Sequence, residues 1–179
     1  MRNRLLRFMI FLVIFQATTV CGADFRKLQV SVKEMAPFRY MCYEHIGQYR
    51  EFPYAETAFL TEFRGSAVKP LGHQLALYWN SPLKVKPEDL RYDVGFPVAP
   101  NQLPVGNLKV KDFLYTRAAS TIHVGSYNDT YQTTNALYQW IAFNGYRIIG
   151  GPCVEIYYDD NPQEVPDERK RTEILIPIQ

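Results

Sequence analysis

The chain changes its hydrophobic period several times, and the changes come twice in the same order. From Leu108 to Val124 it is rich in β-branched residues and reads as one long strand, bent or bulged near Phe113 to Arg117. A helix is predicted to begin near Asn128, a good N-cap residue, with Asp129 in the first turn, where negative charge suits the helix dipole. Tyr131, Thr134, Tyr138 and Ile141 then recur at helical spacing, with Leu137 and Trp140 flanking that face. Asn144-Gly145 is a stop signal. Gly150-Gly151-Pro152 introduces a short strand, Cys153 to Tyr158, ended by Asp159-Asp160-Asn161-Pro162. A polar loop then feeds a last strand, Thr172 to Ile178. The first half follows the same plan, with a helix about Tyr54 to Phe63 and strands about Gln74 to Trp79 and Tyr92 to Val98.

The two halves also match residue by residue. Val30-Ser31-Val32-Lys33 faces Leu108-Lys109-Val110-Lys111, and His45-Ile46-Gly47-Gln48-Tyr49 faces His123-Val124-Gly125-Ser126-Tyr127 at the same shift. With slips of one residue each, Leu75-Ala76-Leu77-Tyr78 faces Val154-Glu155-Ile156-Tyr157, and Asp93 to Val98 faces Glu173 to Ile178. Two copies are too few for a solenoid, so repeats of about residues 28–99 and 107–178, joined by Pro100 to Gly106, should pack on each other as one domain. The expected fold is α+β, built from duplicated strand-helix-strand-strand modules with antiparallel strands.

Charge separates the N-terminus from the rest. Of the 20 Lys+Arg in the 179 residues, Arg2, Arg4 and Arg7 fall in the first 23, which contain no acid; 17 then oppose all 18 Asp+Glu, a net of −1. No basic stripe remains for nucleic acid, which is therefore not expected as a partner. The early arginines precede the apolar run Phe8 to Phe15 and the small residues Ala17 to Ala23, with Val20 and Gly22 placed for a signal-peptidase cut before Ala23, and Cys21 and Ala23 for a cut one residue later. Residues 1–23 thus read as a signal peptide, and the mature chain, 24–179, as exported to the periplasm or secreted. An uncleaved membrane anchor and a lipid-modified Cys21 are the alternatives, and the membrane enters through them alone. Cleavage leaves Cys42 and Cys153, which either pair or serve as small buried hydrophobes. No Cys/His ligand cluster is present, so no metal is expected.

The ordered blocks His123-Val124-Gly125-Ser126-Tyr127, Gly150-Gly151-Pro152 before Glu155-Ile156-Tyr157, and Thr172-Glu173-Ile174-Leu175-Ile176-Pro177-Ile178 resemble the GyrI-like, or AraC-type effector-binding, domain family. The resemblance spans about residues 28 to 178. It implies two modules related by a pseudo-two-fold axis, with a ligand cleft between the halves and an acidic residue at the floor of that cleft. Members of the family receive cationic or planar aromatic ligands, and some hydrolyse cyclopropane-bearing genotoxins. Glu155 matches the cleft carboxylate. Strand alternation agrees, since it puts Cys153, Glu155 and Tyr157 on one face, where a half-buried carboxylate needs a partner or a raised pKa. Ala76 stands at the matching place in the first half, so one polar anchor is expected, not a symmetric pair.

Tyr49, Tyr54, Tyr78, Trp79, Phe96, Tyr127, Tyr131, Trp140 and Tyr157 fall in or beside the repeated blocks, and more than half should be core. Tyr127, Tyr157 and Trp140 are chosen with Glu155 for the ligand site, because a carboxylate among π faces suits a lipophilic cation. His45 and His123 occupy equivalent positions and read as structural. No histidine has the spaced partners of a triad, there is no nucleophile elbow, and the glycines near 150 lack the Lys-Ser/Thr of a phosphate loop, so no cofactor is expected. The function expected is small-molecule binding by a stand-alone exported domain, more binding protein than enzyme. A hydrolase using Glu155 as general base is the alternative. A membrane-anchored adaptor is a further one, because His45-x-Gly47-x-Tyr49 is similar to relatives that serve as receptors in autophagy of the endoplasmic reticulum.

Overall fold

The computed structural model describes residues 24–159 and 161–179; the segment read as an export signal lies outside the described residues. In chain order the elements are β1 (Ser31–Glu34), β2 (Phe38–Ile46), α1 (Phe52–Arg64), β3 (Gln74–Tyr78), β4 (Arg91–Val98), β5 (Lys109–Phe113), β6 (Arg117–Val124), α2 (Thr130–Phe143), β7 (Cys153–Tyr157) and β8 (Arg171–Pro177). All eight strands form one antiparallel sheet in the order β1-β6-β8-β7-β3-β4-β2-β5. The order is a palindrome of the duplication: β3 and β7 are central neighbours, and each half mirrors the other outward from them.

One expectation fails instructively. The stretch Leu108 to Val124 is not one bent strand. It breaks at Leu114–Thr116, and its two pieces serve different halves: β5 pairs with β2, and β6 with β8. The first half does the reciprocal thing, with β1 paired to β6. Each module lends its first strand to the other. In a flat sheet β1 and β2 would lie six strand spacings apart, about 29 Å. Only residues 35–37 connect them, four Cα steps that reach about 15 Å. The same conflict holds for β5 and β6, so the sheet must roll until its ends approach. Where the two links cross, the Met35 N–H donates to the Thr116 carbonyl at 2.7 Å.

Inside the roll lies a core of Tyr40, Cys42, Leu75, Leu77, Phe113, Val154 and Leu175. The exchanged strands are locked there by a repeated ion pair. Lys111 on β5 reaches Asp93 on β4 at 2.8 Å, and Lys33 on β1 reaches Glu173 on β8. Asp93 also accepts from Tyr40 at 2.9 Å and from the Trp79 indole at 2.8 Å; Glu173 accepts from Ser120 and Tyr158. Burial works to raise the Glu173 pKa, but the donors around it prevail and hold it low.

Both helices pack on the outer face. Ala55, Phe59 and Phe63 of α1 cover Met41, Tyr92, Val94 and Val98, while Leu137 and Ile141 of α2 cover Ala119, Ile174 and Ile176. Helix α2 starts later than predicted. Ser126, not Asn128, caps a single 3-10 turn by accepting from the Asn128 N–H, and the α-helix begins at Thr130. Asn144 and Gly145, with φ at +74°, end it as expected. The predicted apolar face is also corrected: Thr130, Thr133, Ala136, Leu137 and Ile141 are buried, while Tyr131 and Tyr138 are exposed. The two histidines hold their turns, His45 Nε2 against Glu51 at 2.7 Å and His123 Nδ1 against Thr133 at 2.8 Å. A side chain on Gly47 would fall 2.8 Å from the His45 ring, which explains the repeated His-x-Gly.

Cys42 belongs to the core inside the roll and Cys153 to the layer under α2, so the sheet itself separates them. Both are free and buried, and burial raises both thiols. Among the described residues no helix is long and apolar enough to cross a membrane.

Candidate functional site

The central strands β3 and β7 carry alternating side chains, so half of them face into the space between α1 and α2. The register sets Gln74 beside Tyr157, Ala76 beside Glu155, and Tyr78 beside Cys153. The cleft above them has a volume of about 2140 Å³. An ordinary ligand pocket holds ~300–1,000 Å³, so one planar ligand would occupy only part of it.

Glu155 lies at the floor and is 6% exposed. Its Oε2 accepts from the Tyr157 hydroxyl at 2.8 Å and, more weakly, from Tyr78 at 3.5 Å, and the two phenol oxygens stand 3.3 Å apart. Burial raises the Glu155 pKa, and hydrogen bonds from Tyr157, Thr130 and Tyr78 return part of the shift. Ala76, fully buried beside Glu155, stands where the duplication would have put a second carboxylate. The floor is therefore a single acid whose charged form is short of stabilisation until a cation arrives.

Aromatic rings build the walls, and the duplication repeats them. Tyr49 meets Tyr78 with ring centroids 5.0 Å apart at 72°, and Tyr127 meets Tyr157 at 5.0 Å and 59°. Phe52, at the start of α1, stands 6.1 Å from the Tyr157 ring. Each wall tyrosine anchors the loop after the central strand of its half: Tyr49 donates to the Asn80 carbonyl, and Tyr127 to the Asp159 carboxylate at 2.9 Å.

Three of the four chosen residues thus come together: Glu155, Tyr157 and Tyr127 line the cleft. Trp140 does not. It points under α2 and stacks on Tyr146, with ring centroids 5.7 Å apart. Part of the stripe seen at helical spacing, Tyr131-Thr134-Tyr138, is what faces the cleft instead. Sequence reasoning missed Tyr78, Phe52 and Glu56. Applying the repeat shift to Tyr157 would have nominated Tyr78. Glu56 on α1, held by the Gln74 side chain at 2.6 Å, is a second acid on the wall that no repeat signal marks. Among the described residues no three His, Cys, Asp or Glu side chains are grouped to hold a metal ion.

A sheet of exchanged modules with an aromatic cleft over its central strands defines a small-molecule-binding domain. Residues 28–179 match the GyrI-like small molecule binding domain, and the chain belongs to that family. No curated protein sequence matches it. Among solved structures it is similar to the EcmrR C-terminal domain, at 18% identity and a TM-score of 0.74, covering 86% of this chain and 98% of that one. The chain spans 57% of the EcmrR protein seen in complex with DNA. It is also similar to SAV2435 bound to tetraphenylphosphonium, at 13% identity and a TM-score of 0.61, covering 85% and 94%. A hydrolase from Listeria innocua aligns at 12% identity and a TM-score of 0.60, covering 86% and 93%.

Proposed function

We propose that this domain binds lipophilic aromatic cations in the cleft, with Glu155 as anchor and Tyr157, Tyr127, Tyr78, Tyr49 and Phe52 as the walls. The observation that carries this is the buried Glu155 carboxyl, ringed by phenols and lacking any cationic partner among its neighbours. A cation supplies the missing charge, and π faces stabilise it further. Such a ligand stabilises the ionised carboxylate, so its binding expels a proton wherever the free protein holds Glu155 neutral. Calorimetric titration with tetraphenylphosphonium should therefore show affinity rising with pH above ordinary carboxylate values, with proton release visible as buffer-dependent heat. Binding with no pH dependence between pH 4 and 8 would count against Glu155 as the anchor.

A hydrolase reading gains one observation: Tyr157 and Tyr78 are positioned donors beside Glu155 on the floor. Turnover of an electrophilic ligand, lost in Glu155→Gln with binding retained, would favour it.

The N-terminal pattern supports export. Protein recovered from outside the cytoplasm should begin at Ala23 or Asp24 by N-terminal sequencing. A membrane-retained chain beginning at Met1 would mark an anchor, and a lipid-modified Cys21 a lipoprotein.

A further inference from the structure

The loops that close the two ends of the cleft are the same turn, used twice. Ser81-Pro82-Leu83-Lys84-Val85 follows β3, and Asn161-Pro162-Gln163-Glu164-Val165 follows β7. The Lys84 N–H donates to the Ser81 carbonyl at 2.9 Å, and the Glu164 N–H to the Asn161 carbonyl at 3.0 Å. Behind them Asn80 Oδ1 accepts from the Arg91 N–H, and Asp159 Oδ2 from the Arg171 N–H, both at 2.9 Å. With the frames so alike, the side chains alone differ, and they differ in charge.

Because β3 and β7 run antiparallel, these loops stand at opposite ends of the cleft. At the β3 loop end the charged lining residues are Arg50 and Lys84, both exposed, with Leu83 projecting beside them at 91% exposure. Neither cation has an ion-pair partner among the described residues. The opposite end carries Glu56, Asp159, Glu164 and Asp167 against Arg64 and Lys170, and Lys170 is taken up by Asp167 at 2.6 Å. The cleft is basic at one end, acidic at the other, and holds Glu155 between.

We propose that the preferred ligand is zwitterionic: an aromatic cation seated over Glu155, with an arm that carries an anionic group to Arg50 and Lys84. This rests on Glu155 acting as the cation anchor. From the Glu155 level to the Tyr78–Cys153 level is two residues of strand, about 7 Å, and the loop lies beyond, so the ligand's charges stand roughly 7–12 Å apart. An anion pointed the other way meets the acidic end, so the polarity also orients the ligand.

The test uses triphenylphosphonium bearing a carboxypentyl arm and its methyl ester, which share the cation and aromatic body but differ in the anion. In low salt the acid should bind about three- to tenfold tighter than the ester, as expected for contacts with two exposed cations. High salt should shrink that ratio. The Arg50→Glu/Lys84→Glu double variant, with an unchanged melting temperature, should reverse the preference, and Lys84→Glu alone should reduce it. An acid that binds no tighter than the ester, while the ester still weakens in Glu155→Gln, would overturn the zwitterion proposal and leave the cation anchor standing. Equal binding of both compounds by the parent and Glu155→Gln would overturn the anchor and this proposal together.

Discussion

Glu155→Gln is expected to melt at a higher temperature than the parent at neutral pH, and to bind tetraphenylphosphonium about ten- to a hundredfold more weakly. Both effects have one cause. Burial raises the Glu155 pKa in the folded protein, only partly offset by its three hydroxyl donors. The native state then keeps its proton to a higher pH than the unfolded chain does. Between the unfolded value, about 4.3, and the raised native value, the native state binds more protons, so stability falls as pH rises. Above the native value the full penalty persists; below the unfolded one it vanishes. The amide carries no charge and escapes the penalty, while its nearly equal volume preserves packing. The melting-temperature gap between variant and parent should therefore open as pH rises above about 4 and close below it. A gap that ignores pH would show that Glu155 is hydrated in solution. An unaltered affinity for the phosphonium would show that the cation sits elsewhere.

Lys111→Met is expected to cost about 3–5 kcal/mol in denaturant unfolding, the range for stripping the partner from a buried charge. Asp93 is fully buried and would keep only the neutral donors Tyr40 and Trp79. Lys33→Met, at the equivalent place in the other half, should cost distinctly less. The Lys33 side chain is 45% exposed against 24% for Lys111, so water already screens its pair with Glu173. Glu173 also keeps Ser120 and Tyr158 as donors. Equal losses in the two variants would contradict this account, because the pairs would then share an energy despite different access to water. The pairs matter beyond their own energy, since each ties a lent strand to the half that borrows it.

Much of this was legible in the linear pattern. Strands β3, β4, β7 and β8 and helix α1 fall within two residues of their predicted bounds, because each is a short periodic run flanked by turn residues, a local signal. Glu155 and Tyr157 were placed on one face by alternation alone. The reading of Leu108 to Val124 failed because nothing local distinguishes a bulge within a strand from a break between two; the difference is which neighbour each piece bonds. Helix α2 was misread for a related reason. Tyr131 and Tyr138 have the spacing of a core stripe, and apolar periodicity identifies one face of a helix without saying whether protein or a cleft covers it. Trp140 was chosen for the cleft as an aromatic on the helix after Tyr127, and its place on that helix turns it toward Tyr146 instead.

What the sequence determined by itself is the duplication, the α+β class, the elements and the single acid on the central strand, since these follow from order and periodicity along the chain. Tertiary structure alone decided the strand exchange, the separation of Cys42 from Cys153, the pairing of Tyr49 with Tyr78 and Tyr127 with Tyr157, and the opposite charges at the two ends of the cleft. Each of these depends on contacts between residues distant in sequence. Periodicity says which side of an element is apolar. The surface that meets it is settled by short links, Met35 to Pro37 and Leu114 to Thr116, too short to let the sheet lie flat.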